Sequence, residues 1–109
     1  MTQVIQILHY VDRAGRDIFD NWLTGITDGR AKAKIGIRIG RFAMGNFGDC
    51  KPLRESVWEL RVDWGPGYRI YYSLISRNVA LLLCAGQKRR QSADIDRAIE
   101  YLKDYRGRE

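Results

Sequence analysis

The sequence predicts an α+β domain: a mostly antiparallel four-stranded sheet with helices packed on one face, in the order β-α-α-β-β-β-α. Three observations predict it. Residues 4–10, 56–62 and 68–75 alternate apolar and polar side chains with the period of a strand. Residues 13–23, 28–44 and the segment after Ser92 repeat apolar residues at helical spacing. The chain has 109 residues, 45% of them hydrophobic, which suits one domain, 1–109, around one core.

In residues 4–10, Val4, Gln6 and Leu8 alternate with Ile5, Ile7 and His9. This reads as a first strand at the sheet edge. His9 is the only histidine, and at a strand end it reads as a surface or packing residue. Asp12 can cap a helix over 13–23. Ile18, Phe19, Trp22, Leu23 and Ile26 give that helix a core-facing stripe. Trp22 is a core anchor in this reading. Gly25 and residues 27–29 mark a turn, and Asp28 can cap the next helix.

Residues 28–44 carry two patterns. Ile35, Ile37 and Ile39 alternate with Gly36, Arg38 and Gly40, as in a strand. Ala31, Ile35, Ile39 and Phe42 recur at helical spacing, as do Arg30, Lys34, Arg38 and Arg41. The helical pattern covers more residues and predicts a helix. Its basic stripe is either a solvated face or a ridge that tracks phosphates. Ile37, Gly40 and Met44 fall on a third side, where a protein partner could pack.

Residues 45–49 form a loop into the sheet. In 56–62, Trp58, Leu60 and Val62 share one face, and Val57, Glu59 and Arg61 the other. The Gly/Pro-rich 63–67 is a tight connection. In 68–75, Tyr68, Ile70, Tyr72 and Leu74 share a face, against Arg69, Tyr71 and Ser73. After a turn at 76–78, residues 79–86 are apolar on both faces, so this strand lies inside the sheet. Ser92 can cap a last helix, with Asp94 and Asp96 in its first turn and Ile95, Ala98, Ile99 and Leu102 as its apolar stripe. The final four residues are expected to fray.

Matching apolar faces across the 63–67 turn sets Arg61 opposite Arg69 and Glu59 beside Tyr71. Two facing arginines repel unless an anion neutralises them. A phosphate would serve, as would Glu59 or Asp63. The same residues could also be a solvated pair with a carboxylate neighbour. Helices on one face would leave this polar face open, with Lys88, Arg89 and Arg90 at its rim. Such a surface can receive a phosphodiester backbone, with aromatics for stacking. On an open face, truncating Arg69 would leave no cavity.

Net charge +6 and a pI near 9.6 point to a polyanionic partner: nucleic acid, ribosome, acidic protein or anionic membrane. No apolar run approaches the ~20 residues of a membrane-spanning helix. The first ten residues lack the pattern of a signal peptide. Cys50 and Cys84 have no metal-ligand spacing, and Cys84 reads as a small buried hydrophobe. The expectation is a reduced cytoplasmic protein without metal or cofactor, not bound to membrane.

ELRVDWGPGYRIYY at 59–72, LLLCAGQK at 81–88 and SADIDRA at 92–98 resemble the RelE/ParE superfamily of bacterial toxins, in its HigB-like branch of addiction-module killer proteins. The resemblance covers nearly the whole chain. It implies the toxin of a type II toxin–antitoxin system, an endoribonuclease (mRNA interferase) that cuts messenger RNA, commonly on the ribosome. It implies silencing by a cognate antitoxin, expected to be a small helix-turn-helix protein. Metal-free attack by a 2′-hydroxyl needs a base, cations for the crowded phosphorane and an acid for the leaving 5′-oxygen. The family's GYR arginine matches Arg69. Its Lys-Arg pair after the last core strand matches Lys88 and Arg89, and the arginine ending the preceding strand's motif matches Arg61. Two basic positions of RelE are Val57 and Glu59 here, and its last-helix tyrosine falls at Ile95. The candidate catalytic set is therefore Glu59 as base, Lys88 as acid, and Arg61 and Arg69 on the phosphate. Lys51, Arg54, Tyr71, Arg89 and Arg90 are the candidate RNA contacts. Two alternatives stay open: a ParE-like toxin that inhibits DNA gyrase, and a basic RNA-binding module without chemistry.

Overall fold

The computed structural model describes residues 4–108. The chain runs β1 (Gln6–His9), α1 (Ile18–Thr24), α2 (Gly29–Ala43), β2 (Cys50–Pro52), β3 (Trp58–Val62), β4 (Tyr68–Ser76), β5 (Val79–Gln87), a single 3-10 turn (Lys88–Arg90) and α3 (Gln91–Gly107). The architecture is a mixed α+β fold around one central sheet. The sheet has five strands, in the order β1-β5-β4-β3-β2.

Two features of the sheet correct the expected four-stranded arrangement. The extra strand is β2, antiparallel to β3, with Lys51 opposite Glu59. It is only three residues long and ends at Pro52. A proline cannot donate to a ladder, so it suits this outer edge. The sheet is also mixed, because β1 pairs with β5 in parallel, Gln6 opposite Val79 and His9 opposite Leu82. The remaining pairings are antiparallel. β1 is an edge and β5 lies inside, as their residue patterns predict.

Helices α1 and α2 pack on one face of the sheet. Phe19 and Trp22 of α1 and Ala31, Ile35 and Phe42 of α2 meet Leu60, Val62, Tyr68, Ile70, Tyr72 and Leu82. α3 lies on the opposite face, where Ala98, Ile99 and Leu102 meet Tyr71, Leu81 and Leu83. Neighbouring residues of β5 thus enter different clusters, which is why its run is apolar on both sides. Cys84 is buried under α3, and burial pushes its thiol up to about 12.

Local chemistry explains the remaining departures. α1 starts at Ile18, because Asp17 rather than Asp12 caps it, accepting from the Asp20 amide at 2.9 Å. Asp12 instead organises the turn before it, accepting from the amides of Ala14 and Arg16, each at 2.9 Å. α2 is capped by Asp28 as predicted. Its Gly36 and Gly40 face open space, and each costs the helix about 1 kcal/mol relative to alanine, so its buried face must hold it. α3 begins one residue before Ser92, which does not cap it, and Arg90 at the cap position makes no side-chain cap bond.

The end of α3 is tied down rather than frayed. Tyr10 donates to Asp104 at 2.6 Å, Arg13 donates to the same carboxylate at 2.7 Å, and Arg108 donates to both Asp104 and Tyr10. Glu109 lies outside the described residues. The Tyr10 hydroxyl, and then Arg108, hold Asp104 far below the usual carboxylate range. Burial and Asp104 raise Tyr10 to about 12. A carboxylate depressed in the folded state stabilises above its unfolded pKa of about 4, and that contribution is lost as pH falls below it. Asp104→Asn is therefore expected to lower Tm at neutral pH and to flatten the loss of Tm in acid, read from melts between neutral pH and about pH 2.

Candidate functional site

Glu59 and Arg61 leave β3 on one side, as a two-residue period requires. In the β3–β4 register Arg61 stands opposite Arg69 and Glu59 opposite Tyr71, as the sequence predicts. This side is the one that α3 covers. Glu59 and Tyr71 are 0% exposed and Arg69 is 8% exposed. The expected open face is therefore closed here. The apolar stripe of α3 and the doubly apolar β5 bury each other. Truncating Arg69 would open a cavity, contrary to the expectation for an open face.

Glu59 supplies the anion that the facing arginines need. Its Oε1 is 3.1 Å from Arg69 Nε and accepts from Gln91 Nε2 at 2.8 Å. Its Oε2 accepts from Arg61 Nε at 3.3 Å. Arg61 is one-third exposed and also lies 3.8 Å from Asp49. Asp63, the other carboxylate considered, makes no ion pair among the described residues. Arg69 Nη1 donates to the Tyr68 carbonyl at 3.2 Å. Arg69 Nε lies close to Glu59 but is not aligned for a hydrogen bond. The Lys88 amide donates to the Gly67 carbonyl at 3.0 Å, closing the 63–67 turn against the start of α3. Gly67 has φ +79°, which favours glycine in this turn.

Two more buried polar atoms here have no protein partner, the Tyr71 hydroxyl and Asp94 Oδ2. Burial and the nearby Glu59 and Asp94 carboxylates raise the Tyr71 hydroxyl well above its ordinary value. Asp94 is buried under the first turn of α3, where Arg97 donates to its other oxygen at 2.6 Å. A Cβ on Gly86 would collide with Asp94 Oδ2, so β5 needs glycine there.

Outside this cluster, at the start of α3, lies a groove of about 410 Å³ lined by Arg54, Lys88, Arg89, Gln91, Ser92 and Ile95. Its charged lining is entirely cationic. Lys88 and Arg89 are exposed, and Arg54 reaches Asp96 on α3. Gln91 both lines the groove and touches Glu59, so one amide separates the buried carboxylate from the surface.

The structure thus brings Arg54, Lys88 and Arg89 together at the surface and Glu59, Arg61 and Arg69 together beneath it. It does not bring all the candidates to one place. Arg90 lines a second cavity of about 210 Å³, with Trp22, Arg89, Asp94 and Arg97, and Arg89 is shared with the groove. Lys51 is exposed on β2. Tyr71 offers no ring to solvent. Gln91 and buried Asp94 are the residues that sequence reasoning missed. The acidic first turn of α3 was visible, but its spacing does not tell which carboxylate turns inward. Nothing near Gln91 signals its contact with Glu59.

No protein-family model matches the chain. An uncharacterized protein of Haemophilus influenzae is 46% identical over 80 residues, which span 73% of this chain and 81% of that protein. The chain belongs to the same family as that protein. Its description names no activity, so this kinship carries no function across.

Glu59→Gln removes the carboxylate that lies between Arg61 and Arg69. Unpairing a buried ion cluster costs about 3 kcal/mol or more, so a large drop in urea-unfolding stability is expected. Glu59→Gln unfolding at the wild-type urea midpoint would show that the arginines are neutralised in another way.

Proposed function

We propose that this chain is a RelE/ParE-type toxin of the HigB-like branch, an mRNA interferase that cuts messenger RNA on the ribosome without a metal and is silenced by a cognate antitoxin. The observation that carries this reading is the groove whose charged lining is Arg54, Lys88 and Arg89, beside the Glu59–Arg61–Arg69 cluster. The likeness of residues 59–72 and 81–98 to those toxins adds to it.

In this reading the scissile phosphodiester lies in the groove. The 2′-hydroxyl gives its proton to solvent water, its oxygen bonds to phosphorus and the bond to the 5′-oxygen breaks, leaving a 2′,3′-cyclic phosphate and a 5′-hydroxyl. Arg54 and Arg89 hold the phosphate oxygens, with the bidentate fork that lysine lacks. Lys88 gives its proton to the leaving oxygen. Glu59 is buried and bound to Gln91, so its part is to hold Arg61 and Arg69 rather than to take the 2′-proton. Among the described residues, those lining the groove include no carboxylate and no histidine. The rate then comes chiefly from charge stabilisation on the phosphorane.

The burial of Glu59 also favours a second reading, a basic RNA-binding module without chemistry. Product ends separate the two. Induction without a partner is expected to arrest growth and translation, and mapping of transcript ends should find new 5′-hydroxyl termini. Bound but intact transcripts would leave the binding module, and inhibited supercoiling with intact transcripts would leave the gyrase-poison reading. Lys88→Met is expected to slow cleavage by about 100-fold or more, the scale of a lost general acid. Because Lys88 is exposed, its Tm should stay near wild type. Unchanged cleavage by folded Lys88→Met would remove Lys88 from the mechanism.

A further inference from the structure

Strand β5 outruns its neighbour β1. Their last pair is His9 opposite Leu82, and the Tyr10 amide then donates to the Leu82 carbonyl at 2.9 Å. Residues 83–87 therefore form a free sheet edge on that side. Two adjoining cavities open along it, between α1 and α3. One, of about 540 Å³, is lined in part by Arg16, Asn21, Trp22, Ala85, Arg90 and Arg97. The other, of about 210 Å³, shares Trp22, Ala85, Arg90 and Arg97 with it. Lys88 turns its amide to Gly67, on the β4 side. Backbone groups alternate along a strand, so Ala85 and Gln87 turn theirs to the free edge. Among the described residues, nothing bonds to the Ala85 amide or carbonyl there. Two carboxylates also line the cavities, each with an arginine of its own. Asp12 holds Arg16 at 2.8 Å, and Asp94 holds Arg97 at 2.6 Å. Asp94 is 1% exposed, so it fixes Arg97 rather than meeting a ligand. Arg89 and Arg90 are exposed and make no ion pair among the described residues, which leaves the cleft an excess of positive charge. Half-buried Trp22 is set against Phe19 and Tyr68, with ring centroids 5.8 Å away in each case.

We propose that this cleft is a nucleotide-binding site. The base lies against the Trp22 indole, and Arg90 and Arg97 hold the phosphate. The Ala85 amide and carbonyl set a donor beside an acceptor, and the edge of a nucleobase offers the matching pair. The larger cavity has the size of an ordinary small-ligand pocket. A bare phosphate would use the guanidiniums and leave the indole and the free edge without a role. An added peptide strand would use the edge and leave Arg90 without an anion. The nucleotide has two possible sources, a free mononucleotide or one residue of an RNA strand. Arg89 lines both this cleft and the Lys88 groove, so a strand passing between them meets a cation on the way. The cleft does not depend on RNA cleavage, because Arg54, Glu59 and Lys88 are not in its lining.

The test follows the NMR spectrum of the full chain as adenosine 5′-monophosphate is added. Ribose 5-phosphate, a short 2′-O-methyl oligoadenylate and a short valine- and threonine-rich peptide are titrated in parallel. The oligoadenylate has no 2′-hydroxyl to attack with, so the outcome is independent of whether the chain cuts RNA. The mononucleotide is expected to saturate and to shift the Ala85 and Gln87 amides and the Trp22 indole N–H. Ribose 5-phosphate should bind at least about fivefold more weakly, the scale of one lost base stack. Arg90→Gln should weaken the mononucleotide at least about tenfold, as loss of a charge-assisted hydrogen bond does. Its Tm should hold, because Arg90 is exposed and makes no side-chain cap bond. Arg77→Gln, in the exposed turn at the other end of β5, removes the same charge and should change affinity by less than about twofold. Tighter binding of the oligoadenylate with the same shifts, weakened by Arg89→Gln, would assign the site to a strand. Binding of the mononucleotide at least as tight would assign it to the free nucleotide. Equal binding of ribose 5-phosphate, no shift at Ala85, or full affinity in Arg90→Gln would overturn the proposal. So would a peptide that shifts Ala85 where the mononucleotide does not, which would make the edge a place for strand addition.

Discussion

The arrangement around the sheet's polar face depends on one carboxylate between two guanidiniums. The β3–β4 register forces Arg61 and Arg69 to stand opposite each other. Glu59, two residues from Arg61 on the same side, lies close to both. Such a cluster is a poor source of net stability, because stripping water from three charges offsets much of their attraction. Its value is positional. Glu59 also binds Gln91, the first residue of α3, so the ion cluster ties β3, β4 and the start of the last helix together. Burial of Leu81, Leu83, Ala98, Ile99 and Leu102 supplies the driving force that the charges do not.

That arrangement divides the cations between two environments. Beneath α3 the polar groups are crowded and incompletely satisfied, as Arg69 Nε, the Tyr71 hydroxyl and Asp94 Oδ2 show. A buried unpartnered polar atom costs about 1–3 kcal/mol, so well-packed neighbours must hold these in place. Above them, Lys88 and Arg89 remain in water. Arg90 follows them in sequence but does not line the groove; it lines a second cavity, whose wall Arg89 shares. Of the basic run, only Lys88 and Arg89 therefore line the groove.

Much of the fold was legible in the sequence, for identifiable reasons. Strand alternation in 58–62 and 68–75 set the faces, and a slip of one residue would have turned Leu60 and Ile70 to the wrong side. Asp28 marked the start of α2 through ordinary capping chemistry. β2 was not legible, since three residues ending in proline carry no periodicity. The parallel partner of β1 was not legible either, because its pairing joins distant parts of the chain. The covered polar face was half visible. The doubly apolar run of β5 required cover on both sides, but the expectation of helices on one face left the second side bare. For the site, residue types were readable and depth was not. Glu59, Tyr71 and Asp94 look like surface residues until α3 is placed over them.

The parallel pairing of β1 with β5 has a consequence for the chain's birth. Gln6 cannot meet Val79 until most of the polypeptide has been made. During synthesis domains form as units, so the early helices must wait without a finished sheet beneath them. α3 comes last of all, and with it Gln91 and the lining of the groove. A chain made only as far as β5 therefore has cations but no assembled groove, because Gln91, Ser92 and Ile95 of its lining belong to α3.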